Sequence, residues 1–281
     1  MKSLAFHLLF FARQHIPKNE ECPDAISTGA IMKKFIKNIK KYKSYMMYSA
    51  KATLKSEVAG SRLNWLWWIL DPFFFMLVYT FVALVVYGKS EPYFPLFVFI
   101  GLNLWNYFSK TVTKSVKAVK SCKGMISKVY LPKYILVLTT MLVNLFKMLV
   151  AFSLVVVMVP MYHVPITWRL IEIVPLFLVL SIFTFGCSCI LLNFGVFVKD
   201  LANVVQVVLK LAFYMSGIFY SIAKRVPQPY ATILLDFNPV ANIIHGARNC
   251  ILYESHPMYG VIGIWLVISI LLSIIGVRLI N

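Results

Sequence analysis

Acidic side chains are what this sequence has least of. Ten Asp and Glu stand against 28 Lys and Arg in 281 residues, and charged side chains make up only 14% of the chain. A soluble domain of this length carries about 25% charged residues, so composition excludes a water-facing globule. The ten acids are scattered, with no Asp-x-Asp and no His-Glu-x-x-His, which removes the carboxylate pair or metal motif that a membrane-embedded transferase would need. His163, His245 and His256 are too far apart in sequence to count as a site. Cysteines number five (Cys22, Cys122, Cys187, Cys189 and Cys250), an odd count falling mostly inside or beside apolar runs, which argues against a disulfide framework. Cys187-x-Cys189 has no further ligand nearby and reads as small residues for helix packing rather than a metal site. A phosphate-binding loop is missing as well. Gly88-Lys89-Ser90 copies the end of one, but Ala83 stands where glycine is required, so the chain has no nucleotide site of its own.

What is abundant is apolar surface: 60% hydrophobic residues and a mean hydropathy of +0.79. Six runs, at 69–87, 93–111, 134–161, 171–196, 204–222 and 258–277, each approach the ~20 residues that cross ~30 Å of hydrocarbon. The first is entered through GSRLNWLWWILDP, where Trp65, Trp67 and Trp68 suit a membrane-water boundary. Six crossings put both termini on the cytoplasmic side of the inner membrane. Basic residues agree, with 21 on the inside and 5 outside. The net charge of +18 lies in segments flanking the apolar runs, which points to lipid headgroups and a cytoplasmic partner rather than to nucleic acid.

The expected fold is an all-α membrane protein with six transmembrane helices, an N-terminal amphipathic interface helix, and re-entrant outer helices before the last span. Residues 1–31 read as a cytoplasmic extension, with Met32 as an alternative start of the more regular unit. Residues 32–68 form the interface helix and membrane entrance, and 69–281 the transmembrane domain, with the re-entrant segment at 223–257. In the interface helix Met32, Phe35, Ile36, Ile39, Tyr42 and Met46 recur at helical spacing and lysines fill the remaining arc, so the apolar face is expected in the acyl boundary. The segment 223–257 holds two apolar pieces too short to span, separated by Asn238-Pro239. Lys147 and Lys210 lie within spans. Lys210 is near enough to the cytoplasmic end to snorkel, whereas Lys147, with Asn144 one turn earlier, is a candidate for a pore or a subunit interface.

Five stretches in order, GSRLNWLWWILDP, PLFVFIGLNLWNYFS, KVYLPKYILVLTTML, FVKDL and FYMSGIFYSIAKRVPQPYATILLDFNPVANIIHGARNCIL, resemble the permeases of ABC-2 type polysaccharide and polyol-phosphate exporters, which move O-antigen, capsule or teichoic acid chains. The resemblance runs from about Met46 to the C-terminus. The chain departs from the family pattern at Glu57 and Val58, where a basic and an aromatic residue are usual, at Asn64 in place of Gly, and at Asp71 in place of Asn. The resemblance implies a half-transporter that binds no cofactor itself. Its partners would be a second copy of the chain, two ABC ATPase subunits that hold ATP and Mg, membrane lipid and a lipid-linked glycan substrate. Ser127, Lys128, Val129, Tyr130, Leu131, Pro132 and Lys133, with Lys199 and Asp200, would couple to the ATPase. Sugar faces stack on aromatic rings, which makes Trp105, Tyr107, Phe108, Phe213, Tyr214, Phe219 and Tyr220, together with Lys147, the candidate channel lining. Phe237, Asn238 and Pro239 would form an outer gate, and Arg62, Trp65, Trp67 and Trp68 a substrate entrance. The alternatives are an ABC-2 exporter of a drug or small lipid and, further off, the transferase or a passive scaffold.

Overall fold

Prolines and one asparagine mark where several helices begin. Pro95 sits in the first turn of one helix and Pro239 opens another, positions where a missing N–H breaks no intrahelical bond. Asn238 caps the latter, its Oδ1 accepting from Val240 N and Ala241 N at 3.1 Å each. The computed structural model describes residues 28–59, 63–86, 91–122, 131–165, 167–198 and 200–280, and every regular element among them is helical. In chain order these are α1 (Thr28–Val58), a 3₁₀ turn (Asn64–Leu66), α2 (Trp67–Phe81, continued as a π-helix over Val82–Val86), α3 (Phe94–Ser121) and α4 (Lys133–Met161). There follow a 3₁₀ segment (Trp168–Glu172), α5 (Ile173–Phe197), α6 (Leu201–Met215), α7 (Ile222–Arg225), α8 (Tyr230–Phe237), α9 (Pro239–Leu252) and α10 (Tyr259–Ile280).

Four stretches are long and apolar enough to cross a membrane: Trp67–Val85, Lys133–Met161, Trp168–Phe197 and Tyr259–Ile280. They correspond to four of the six runs read from the sequence. The run at 93–111 lies within α3, which continues to Ser121 and is diluted by lysines and asparagines along its length. The run at 204–222 is cut short. α6 ends at Met215 because Gly217 turns the chain at φ 63°, where a Cβ would lie 2.5 Å from Ile222 Cγ1.

α3 is the central helix, packed by α2, α4, α5, α6 and α9. Its first turns, with Leu96, Phe97, Val98, Phe99 and Ile100, are fully enclosed. Two ends of the bundle can be told apart. At one, the C-terminal turns of α3 and α10 and the start of α4 surround a cluster that includes Tyr134, Ile135, Leu192 and Val277. At the other, Arg248 of α9 lies buried against the first turns of α3 and the turn after α6, donating to Phe97 O, Gly217 O and Ile218 O at 3.0, 2.7 and 2.8 Å and stacking on the Phe97 ring at 3.4 Å. These carbonyls satisfy a cation that has no carboxylate in hydrogen-bond contact among the described residues. The lysines of α1, of the α3 C-terminus and of the α4 N-terminus gather at the first end, and Lys224, Arg225 and Arg248 at the second.

The apolar stripe of α1 behaves differently from the expectation. Tyr42, Tyr45 and Met46 are buried in a cluster with residues of α4, α5 and α10, Phe35 and Ile39 are partly buried against it, and Asn38 Nδ2 donates to Tyr134 Oη at 2.8 Å. Met32 and Ile36 remain exposed. The bundle itself supplies the apolar partner, since each large side chain so covered contributes roughly 2 kcal/mol.

α5 and α10 approach most closely through small residues. A Cβ on Gly276 would lie 2.7 Å from Cys189 Cβ, and one on Gly186 would lie 2.9 Å from Leu272 Cβ. Cys189 is therefore a packing residue, as its sequence context suggests. Gly276→Val should cost ~1–3 kcal/mol by overpacking, read as a lower Tm in detergent. Gly263→Ala, which meets nothing within 4 Å, should cause no loss.

Candidate functional site

A helix surrounded by protein can carry polar residues that a lipid-facing one cannot, and α3 does so in a stripe. Asn103, Asn106, Lys110 and Lys114 follow one another at three- and four-residue steps, with Tyr107 four after Asn103 and three before Lys110, which puts them on one face. That face meets the end of α1, the start of α2 and the middle of α4, and between them lies a cleft of about 360 Å³. Glu57 enters from α1, Trp67, Trp68 and Asp71 from α2, and Asn144 and Lys147 from α4.

The charges in the cleft are paired. Glu57 accepts from Lys114 Nζ at 2.8 Å and also from Lys147 Nζ, and Lys110 Nζ reaches Asp71 Oδ2 at 3.3 Å. Lys147 in addition lies 5.6 Å from the centroid of the Trp68 ring. Three ammonium groups thus meet two carboxylates, leaving one net positive charge. Asn144 Nδ2 donates to Thr111 Oγ1 at 2.9 Å, while its buried Oδ1 has no hydrogen-bond partner among the described residues. Burial works against ionised Glu57, but the two lysines outweigh it and hold its pKa below the ordinary 4.5.

The sequence-based candidates fall into distinct places. Lys147 and Tyr107 come together in the cleft, with Trp67 and Trp68 at its mouth. Trp65 stands exposed beside them, and Arg62 lies outside the described residues. Tyr107 Oη donates to Ser181 Oγ at 3.3 Å. Trp105 and Phe108 are buried in the bundle, Phe108 stacked on Phe183 at 5.7 Å. Phe213 meets Trp105 at 5.7 Å and Phe219 at 5.2 Å, and Phe219 stacks on Tyr79 at 3.6 Å, so these rings form a continuous aromatic row across α6, α3 and α2. Tyr214 is exposed, and Tyr220 Oη donates to its carbonyl at 2.9 Å. Lys210 is exposed on α6.

At the opposite end, Phe237 is 78% exposed, Pro239 is buried, and Asn238 Nδ2 donates to Ser216 Oγ at 3.1 Å, tying the α8–α9 break to the end of α6. Of the candidate coupling residues, Ser127, Lys128, Val129, Tyr130 and Lys199 lie outside the described residues. Leu131 and Pro132 are buried at the start of α4, Lys133 is half-buried, and Asp200 is exposed at the start of α6. Glu57, Asp71, Asn103, Asn106, Lys110 and Lys114 were not singled out as site residues by sequence reasoning. Their signal was present in the polar stripe of α3, read at helical spacing inside an apolar run.

No family model matches the chain. Curated relatives do. The O-antigen export system permease protein RfbA of Myxococcus xanthus is 26% identical over 223 residues, 79% of this chain and 85% of that protein. The protein of the same name from Klebsiella pneumoniae is 26% identical over 229 residues, 81% of this chain and 87% of that protein. Helical in every regular element of its described residues, with four stretches long and apolar enough to cross a membrane, the chain is a multi-pass membrane protein. More particularly, about four-fifths of it is similar to permease proteins of O-antigen export systems.

Replacing Glu57 by Gln leaves Lys114 and Lys147 without their shared carboxylate and should destabilise the protein by about 2 kcal/mol, read as a lower Tm. The folded pKa of Glu57 lies below its unfolded value, so the stabilisation is complete above about pH 4.5 and disappears as pH falls through the lowered folded value. The wild-type Tm should therefore approach that of Glu57→Gln on acidification, and equal pH dependence in the two proteins would contradict the assignment.

Proposed function

We propose that the chain is the membrane permease subunit of an ABC exporter that carries a lipid-linked polysaccharide, of O-antigen, capsule or teichoic acid type, across the cytoplasmic membrane. Similarity over four-fifths of the chain to two O-antigen export permeases is the observation that carries the reading. Two copies would enclose the conduit, and a separate pair of ATPase subunits would hold ATP and Mg and supply the energy.

In this reading α3 and α6 make two further crossings beside the four apolar ones. α3 needs no lipid-like composition because other helices surround it. α6 alone is about 22 Å long, short of the hydrocarbon thickness, and the turn that follows it continues toward Arg248. Six crossings leave both termini cytoplasmic, with the basic end of the bundle inside. α1 then lies at the inner interface, its lysines toward headgroups, and α8 and α9 dip into the outer leaflet and return. Asn238 holds their junction to the end of α6, which suits a gate that moves with that helix.

The cleft beside α2 is the entrance for the polar head of the substrate. Sugars present C–H faces to rings and hydroxyls to amides, which Trp68 and the cleft asparagines supply, and Asn144 Oδ1 is an acceptor awaiting a donor. The net positive charge favours a phosphate linkage between glycan and lipid.

Trp68→Ala and Asn144→Ala should each lower polymer export about fivefold at equal protein level, the loss of roughly one kcal/mol of contact. The measure is polymer on the cell surface per permease in the membrane. Undiminished export in both variants would refute the cleft as entrance, and export of lipid without polymer would favour a small-lipid exporter.

A further inference from the structure

A second concavity of about 360 Å³ lies between α1, α4, α5 and α10, and its chemistry is the opposite of the cleft's. Phe35, Ile39, Leu138, Phe185, Ile274 and Val277 line it with carbon. Its two serines are already engaged: Ser273 Oγ donates to Ser269 O at 2.8 Å, and Ser181 Oγ accepts from Tyr107 Oη. A groove without a free polar group cannot compensate the desolvation of sugar hydroxyls or phosphate, but it accepts a hydrocarbon chain without penalty.

The groove sits at the basic end of the bundle. Two of its lining residues, Met32 and Phe35, share the first turns of α1 with Lys33 and Lys34, which have no ion-pair partner among the described residues. Hydrocarbon surface with unpaired ammonium groups beside it is the complement of an anionic amphiphile. We propose that the groove holds one acyl chain of an anionic glycerophospholipid from the adjoining leaflet, with the phosphate against Lys33 and Lys34. The lipid fastens α1 to α5 and α10. Its site shares no residue with the cleft, and the inference does not depend on which polymer is exported.

The test is photolabelling of the full-length protein in vesicles of phosphatidylethanolamine and phosphatidylglycerol, with a photoreactive group on the phosphatidylglycerol acyl chain. Adducts should concentrate on peptides containing Leu138, Phe185 or Ile274, in excess over Val156 and Val157, which are exposed on α4 and serve as the control for ordinary lipid contact. Filling the groove with Ser273→Phe, or with Met141→Trp if the first variant does not fold, should lower groove labelling about tenfold. Lys33→Gln and Lys34→Gln should each reduce the preference for a phosphatidylglycerol probe over a phosphatidylethanolamine probe carrying the same photoreactive acyl chain about fivefold while leaving the fold intact. Labelling no stronger than at Val156 and Val157, or unchanged by groove filling, would overturn the proposal. So would groove variants that lose self-association and keep their lipid adducts, which would make a second copy of the chain the occupant.

Discussion

A lysine inside a membrane protein must have a partner, and the meeting of Glu57 with Lys114 and Lys147 is the contact on which the arrangement of the first four helices depends. It fixes the end of α1 at the level of mid-α4 and the polar half of α3. Asp71 and Lys110 repeat the device between α2 and α3. These three ion pairs join α1, α2, α3 and α4 around the cleft. An apolar groove of similar size lies across the bundle, so the basic end offers one site suited to polar groups and one suited to hydrocarbon.

The other end is organised by a different solution to the same problem. Arg248 is buried without a carboxylate in hydrogen-bond contact and is instead held by three backbone carbonyls from two elements. Gly101 permits this, since a Cβ there would collide with the guanidinium. Beside it, Glu91 is buried and receives Lys224 at 2.9 Å and Arg225 at 3.6 Å. Helices α7 and α9 are thereby tied to the beginning of α3 and the turn after α6.

Much of the architecture was legible in the sequence because it follows from hydropathy and a few punctuating residues. The long apolar runs at 134–161 and 258–277 coincide with α4 and α10 within a few residues, and the Asn238-Pro239 break is where two helices meet. Cys189 was read as packing for the right reason, small size in an apolar helix. The cleft was only half legible. Lys147 and Asn144 stand out as polar residues in an apolar run, and the tryptophans as boundary residues. Glu57 and Asp71 registered only as departures from a family pattern, because an acid gains meaning from the cation it meets, and that meeting spans 90 residues for Glu57 and Lys147. The docking of α1 was missed for a related reason: an amphipathic stripe says that it will be covered and not by what.

The most direct measurement of the central claim is the accessibility of the cleft from the basic end of the bundle. A single cysteine replacing Asn106, in a background lacking the native cysteines, would be exposed to a membrane-impermeant thiol reagent in sealed inside-out vesicles. The account predicts rapid labelling that slows when lipid-linked glycan is added. A residue that resists the reagent from this side, or reacts only when the opposite face is exposed, would contradict it.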